Sequence, residues 1–263
     1  MRKYICIFKT EFINSLQYVK SFIIGSFSLF LILYIYLNLW SFLYSDPNSL
    51  IKGYSYTQMI WYVLFTETLW SCIKGRRIVS EISQDVKAGN IAYKLNKPYN
   101  YINYIIAKTF ADFSFKLIVL LPAALVIGTL VIGRIPFFNP LGFILAIICG
   151  IIGTVVNIFI CITIGLFAFF MEDANPIYWI YSKIILVVGT LFPIEFMPSL
   201  LQPILKLSPI FAINYGPAKL FVHFDLNLFI KVIIIQIIYL IIFYSISSLI
   251  YKKGVKNINV NGG

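Results

Sequence analysis

Glu67, Asp112, Lys116, Lys183 and Glu195 lie within or beside long apolar runs, which makes them the side chains with the strongest claim to chemistry. A charge at the centre of a membrane-spanning helix costs about 2.5–3.5 kcal/mol on insertion scales, so such residues are read by default as functional. Asp112 and Lys116 stand i, i+4 and can neutralise each other on a helix. Glu67 and Lys183 each sit about two turns from the end of an apolar run. One reading turns Glu67 inward to pair with a cation such as Lys183; the plainer reading lets each snorkel to the nearer interface.

Soluble enzyme chemistry finds little to build on. No G-x-x-x-x-G-K-[ST] loop and no Rossmann glycine fingerprint occurs, so the chain has no recognisable nucleotide site of its own. The single histidine, His223, has only Asp225 near it in sequence, too little for a Ser/His/Asp triad or a zinc ligand set. Cys6, Cys72, Cys149 and Cys161 form no C-x-x-C pair and read as small apolar residues or free thiols. No catalytic residue and no metal site is assigned.

The elements that must position these residues follow from composition. With 60% hydrophobic and 12% charged residues, the 263-residue chain falls outside soluble globular usage. Continuous Ile/Leu/Phe runs without dyad alternation choose helices over a barrel. The fold class is therefore all-α: a single polytopic membrane domain with spans expected at about 21–43, 56–73, 102–133, 141–170, 177–195 and 228–250. Residues 3–20 carry Tyr4, Phe8, Phe12 and Leu16 at i+4 spacing, as a helix lying on the inner membrane surface would. Ser45-Asp46-Pro47-Asn48 signals a turn, and Glu172 to Pro176 a helix stop and restart. Gly142, Gly150, Gly153 and Gly165 predict a close neighbour for the fourth span. Repeated prolines in 196–227 predict short outer re-entrant helices in place of a seventh span. After the sixth span, the Asn/Gly-rich end is expected to fray.

Orientation comes from charge. Of the 21 lysines and arginines, Lys116 and Lys183 fall in spans; fourteen lie on the N-terminal side and five (Lys52, Arg134, Lys206, Lys219 and Lys231) on the other. The positive-inside rule then places both termini in the cytoplasm of a multi-pass protein of the inner or plasma membrane. The net charge of +11 could point to nucleic acid, but in a membrane protein its distribution carries the information, and no nucleic-acid partner is expected.

The longest break in hydrophobicity is 74–100. Ile78, Ile82 and Val86 recur every four residues between charges, predicting an amphipathic helix stopped by Gly89-Asn90, and Ile91, Tyr93 and Leu95 form a second stripe up to Pro98. Against a basic loop resting on anionic lipid, the admixture of Glu81 and Asp85 favours a docking element for a cytoplasmic partner.

Two stretches then carry a resemblance. Gly89, Ile91, Leu95 and Pro98 match a G-x-[IL]-x-x-x-L-x-x-P segment behind an arginine- and glutamate-bearing helix. Gly189 to Pro198, followed by Leu207-Ser208-Pro209 and Gly216-Pro217, resembles an outer re-entrant region before a last span. Together, in this order, they resemble the six-helix permease subunits of type 2 ATP-binding-cassette exporters, particularly the daunorubicin-resistance-like and uncharacterised bacterial branch. Ser208-Pro209 departs from the Leu-Pro-Phe run common there, which touches the shape of the outer gate.

The resemblance implies a permease that pairs with an identical or homologous permease in the bilayer and sits on two ATPase subunits, which bind ATP and Mg; this chain binds no cofactor. Arg76, Arg77, Ile78, Glu81, Ile82, Asp85, Gly89, Leu95 and Pro98 are then the ATPase-coupling residues, and Pro193, Glu195, Pro198 and Pro209 the outer gate. The expected function is ATP-driven export of a hydrophobic or amphiphilic substrate by a non-catalytic membrane subunit. A secondary ion-coupled carrier, a membrane-embedded enzyme and an immunity protein are the alternatives.

Overall fold

A computed structural model describes residues 2–17, 19–44, 46, 49–171 and 173–261, without the side chains of 19–26, 28, 29, 95 and 257–261. Most of the Ser45–Asn48 turn, Glu172 and the Leu95 side chain lie outside the described set. The helices are α1 (Arg2–Gln17), α2 (Val19–Leu43), α3 (Tyr56–Ser71), α4 (Gly75–Lys87), α5 (Asn90–Leu95), α6 (Tyr101–Val131), α7 (Pro140–Leu166), α8 (Asn175–Val187), α9 (Gln202–Leu207), α10 (Gly216–Val222) and α11 (Leu226–Asn261). Tight turns of 3₁₀ type at Phe167–Phe169 and Ile194–Phe196 and a π-helical turn at Phe211–Tyr215 join some of them. Among the described residues, β pairing is confined to isolated bridges.

Local sequence sets the boundaries. Ser55 and Gln58 form a reciprocal capping box at α3: the Gln58 N–H donates to Ser55 Oγ (3.3 Å) and the Ser55 N–H to Gln58 Oε1 (3.0 Å). Asn100 caps α6, and Asn139 followed by Pro140 starts α7. Among the described residues, three stretches are long and apolar enough to cross a membrane: Tyr101–Val131, Pro140–Phe169 and Leu226–Lys256. With 16 residues, α3 is only about 24 Å long, and α8, with 13, about 20 Å. The chain turns after Val187, where Gly189 takes φ +100°, a value L side chains rarely adopt, so the helix expected to 195 stops early. At the other end, α11 runs on through Lys252, Lys253 and Lys256 to Asn261, and Gly262 and Gly263 of the end expected to fray lie outside the described residues.

The core forms around α3 and α7. Every residue of α3 from Gln58 to Leu69 is buried, by α2, α6 and α10. α7 meets α4, α6, α8, α10, α11 and the Phe211–Tyr215 turn. Its glycines are explained by neighbours within the same chain. A Cβ on Gly153 would come within 2.7 Å of the Ala212 carbonyl oxygen, and one on Gly165 within 2.9 Å of Ile82 Cβ. The stretch 211–222 enters the protein between α3, α7 and α11, and its side chains are buried apart from a half-exposed Lys219.

Helix α1 has no buried residue and lies along the surface of the chain against α6. Its aromatic stripe packs lengthwise on α6, with Phe8 against Phe110 (6.1 Å between centroids) and Phe12 against Phe115 (6.0 Å), while the Pro98 carbonyl accepts from Lys3 Nζ. These ring contacts leave Phe8 and Phe12 half-buried.

Candidate functional site

The charged segment folds as two faces of one helix. Ile78, Val79 and Ile82 of α4 are buried against α7, the Phe167–Phe169 turn and α8. Two close approaches set its seat. One is the Gly165–Ile82 contact; in the other, a Cβ at Gly75 would lie 2.6 Å from the Tyr178 hydroxyl. Ser80 donates to Asn175 Oδ1 (3.1 Å), tying α4 to the start of α8. That start is itself held by Asp173, which accepts from the Asn175 backbone N–H (3.1 Å) and Nδ2 (2.8 Å); these bonds keep its carboxyl below the usual carboxylate range.

Two carboxylates on the other flank fasten α4 to α6. Asp85, 7% exposed, accepts from the Tyr101 hydroxyl (2.7 Å) and from Lys94 Nζ (2.5 Å). Glu81 accepts from Lys108 Nζ at 2.6 Å. Gly89, at φ +69°, supplies the left-handed turn between α4 and α5. Beyond it, Ile91 is buried and Tyr93 is exposed, so the alternating stripe is broken by helical geometry.

Of the residues expected to meet a partner, Arg76, Arg77, Gly89 and Pro98 are exposed and Glu81 is half-buried, whereas Ile78, Ile82 and Asp85 face inward. The correction is physical: the amphipathic stripe is what seats the helix on its own chain, and the exposed surface of α4 is the polar one, Arg76, Arg77, Gln84 and Lys87.

Between α1, α4 and α6 lies a cleft of about 450 Å³ whose wall includes Glu11, Lys74, Arg77, Glu81, Lys108 and Lys116. Asp112 and Lys116 form the ion pair their spacing predicts, on this wall.

A second polar cluster sits around the hairpin after α8. Glu195 accepts from the Tyr54 hydroxyl (3.1 Å) and from Tyr215 and Lys219. Gln202 donates to the Met197 carbonyl (2.9 Å), and Pro193 ends the loop just before the Ile194–Phe196 turn. Of the four expected gate residues, Pro193 is buried, Glu195 and Pro209 are half-buried and Pro198 is exposed.

Glu67 and Lys183 do not meet. Glu67, 5% exposed, accepts from the Tyr36 hydroxyl at 3.0 Å, and Lys183 is exposed with its ammonium 6.0 Å from the Trp179 ring centre. A phenol on α2 satisfies the buried carboxyl group in place of a cation.

Several buried polar residues were not among the sequence candidates. Gln236 Nε2 donates to the Cys149 and Ala212 carbonyls (2.8 Å each), the Tyr181 hydroxyl to Asn157 Oδ1 (2.6 Å), and Thr163 and Ser247 share a hydrogen bond (2.8 Å). A search for uncharged amides inside apolar runs would have found Gln236 and Asn157. Among the described residues, no group of three histidine, cysteine, aspartate or glutamate side chains gathers as a metal site needs.

Comparison with known families gives one match: the family described as ABC-2 family transporter protein, over residues 23–262. No curated protein matches the chain.

Proposed function

The chain belongs to the ABC-2 transporter family, whose members are membrane permease components, and from that premise we propose that α4 is the element through which a separate ATPase drives it. The observation that carries this reading is the attachment of α4. Three buried aliphatic side chains hold it to α7, Asp85 and Glu81 hold it to α6, and its exposed surface is left polar, with Arg76 and Lys87 exposed and Arg77 exposed at the rim of the cleft. A helix seated in this way moves only with the helices that hold it, so a push on its polar face reaches α6 and α7.

In this reading two ATPase subunits bind ATP and Mg, a second permease completes the assembly, and both termini lie in the cytoplasm. The transported class is hydrophobic or amphiphilic, and transport is outward. Support for that class comes from the aromatic and aliphatic helix faces, such as Trp179, Ile180 and Ile184 on α8, which are exposed in the single chain.

Co-purification with the ATPase tests the coupling reading. Reversing Arg76 and Arg77 to glutamate should abolish ATPase capture and permease-dependent ATP turnover while leaving membrane insertion and α4 burial unchanged, since neither side chain packs in the core. Undiminished capture and turnover by the doubly reversed variant would refute the docking role.

A further inference from the structure

The cleft between α1, α4 and α6 shares Arg77 and the Glu81–Lys108 pair with the coupling argument, and the rest of its composition is particular. Its wall holds four cations: Lys74, Arg77, Lys108 and Lys116. Lys108 is paired with Glu81 and Lys116 with Asp112. Lys74 and Arg77 make no ion pair among the described residues, and Glu11 is the one cleft carboxylate of which the same holds. After internal pairing, the cleft therefore presents two cations and one anion. Ile78 and Phe115, both buried, lie behind this polar wall.

Depth supplies the second observation. Cys72, at the end of α3, packs against Phe113 and Leu120 of α6. The middle of α6 is thus level with the point where α3 leaves its apolar run, and Tyr101 to Asp112 project beyond it. The cleft, lined by Lys74 at the α3–α4 junction and by Phe115 and Lys116, opens at that level, which on the charge count is the inner membrane–water interface.

We infer that this cleft binds the headgroup of one anionic inner-leaflet phospholipid, with the phosphate against Lys74 and Arg77. Two unpaired cations at interfacial depth lie where anionic headgroups concentrate, and a net excess of one positive charge matches a singly charged headgroup. The acidic Glu11 lowers affinity for more highly charged headgroups. A lipid held here would bridge α1 to α4, so the coupling helix would be sensitive to membrane composition.

The test uses the full chain in phosphatidylcholine nanodiscs with and without phosphatidylglycerol, alone and with its ATPase, reading retained lipid by native mass spectrometry after extraction. One phosphatidylglycerol per chain should be retained in preference to phosphatidylcholine. Lys74→Gln with Arg77→Gln should weaken retention about 30-fold, and Glu11→Gln should strengthen it about 5-fold, at the usual worth of a basic residue near an anionic surface. Lys87→Gln, outside the cleft, should change nothing. Because the two cleft cations are exposed or at its rim, the opposite sign expected for Glu11→Gln separates a binding effect from a folding defect. Equal retention of phosphatidylcholine, or undiminished retention by the double variant, would overturn the site. Displacement by excess inorganic phosphate would make it a free-anion site, and stoichiometric release of lipid by the ATPase would make it a protein-docking surface; either result overturns the lipid assignment. Measurements on the permease alone keep this outcome separate from that of the coupling reading.

Discussion

Ile82→Ala offers the most direct test of how α4 is held. Ile82 is fully buried and faces the backbone of Gly165, so no neighbouring side chain on that side can rotate into the space it leaves. Removing three carbons forfeits about 2.4 kcal/mol of transfer free energy. An unfilled cavity adds to this, and substitutions of this kind span about 2–5 kcal/mol. A loss near 3 kcal/mol in the local docking equilibrium corresponds to about a 100-fold rise in the undocked population of α4. Hydrogen exchange followed by mass spectrometry on the nanodisc-embedded protein reads this directly. Peptides covering 75–87 should exchange about 100-fold faster, those of α3 and α7 should be unchanged, and Ile82→Val, at about 1 kcal/mol, should give about a 5-fold effect. Unaltered protection of 75–87 in Ile82→Ala would refute the seating argument, and uniform loss across all helices would show that the residue supports the whole fold and not the local contact.

Three further outcomes follow from the geometry. Gly128→Ala places a Cβ 2.4 Å from the buried Trp61 ring, and overpacking of this kind costs about 1–3 kcal/mol; thermal unfolding in detergent should show the loss, with recovery when Trp61 is shortened to phenylalanine. Glu195→Ala strands Lys219 and two tyrosine hydroxyls and should destabilise the hairpin after α8 by about 1–3 kcal/mol, read as faster proteolysis of 188–202, whereas Glu195→Gln keeps acceptors for the tyrosines and should lose less. Gln84→Cys, in a Cys6→Ser background because Cys6 is the exposed native thiol, should react with an impermeant thiol reagent only after the cells are opened; labelling of intact cells would invert the orientation.

What the sequence shows and what it conceals divide along physical lines. The amphipathic helix at 75–87 was readable because a four-residue apolar period bounded by Gly89 has few other solutions. Its direction was not: periodicity says that Ile78 and Ile82 share a face, but not whether that face meets another subunit or α7. The ion pair of Asp112 with Lys116 was readable because it is local, whereas the Tyr36 partner of Glu67 is 31 residues away on another helix and chemically unlike the expected cation. Threonines such as Thr68 and Thr154 bond carbonyls one turn back, which quiets them as polar signals. Prolines marked where 196–227 breaks, while the buried return through the Phe211–Tyr215 turn depends on long-range packing against Gly153 and Gln236.

These contacts make α3 the mechanical link between the two polar clusters. Near its start, the Tyr62 hydroxyl donates to the Gly189 carbonyl (2.6 Å) at the turn after α8, and Gln58 reaches the Val222 carbonyl (3.5 Å). Its far end passes within three residues into α4. A buried helix in close-packed surroundings does not absorb displacement by local compression, because interiors deform by switching between packed arrangements. Under the proposed coupling, motion imposed on α4 would be carried along α3 to the hairpin that Glu195 organises. The Tyr62–Gly189 hydrogen bond fastens α3 to that hairpin, as the Ile82–Gly165 contact fastens α4 to α7.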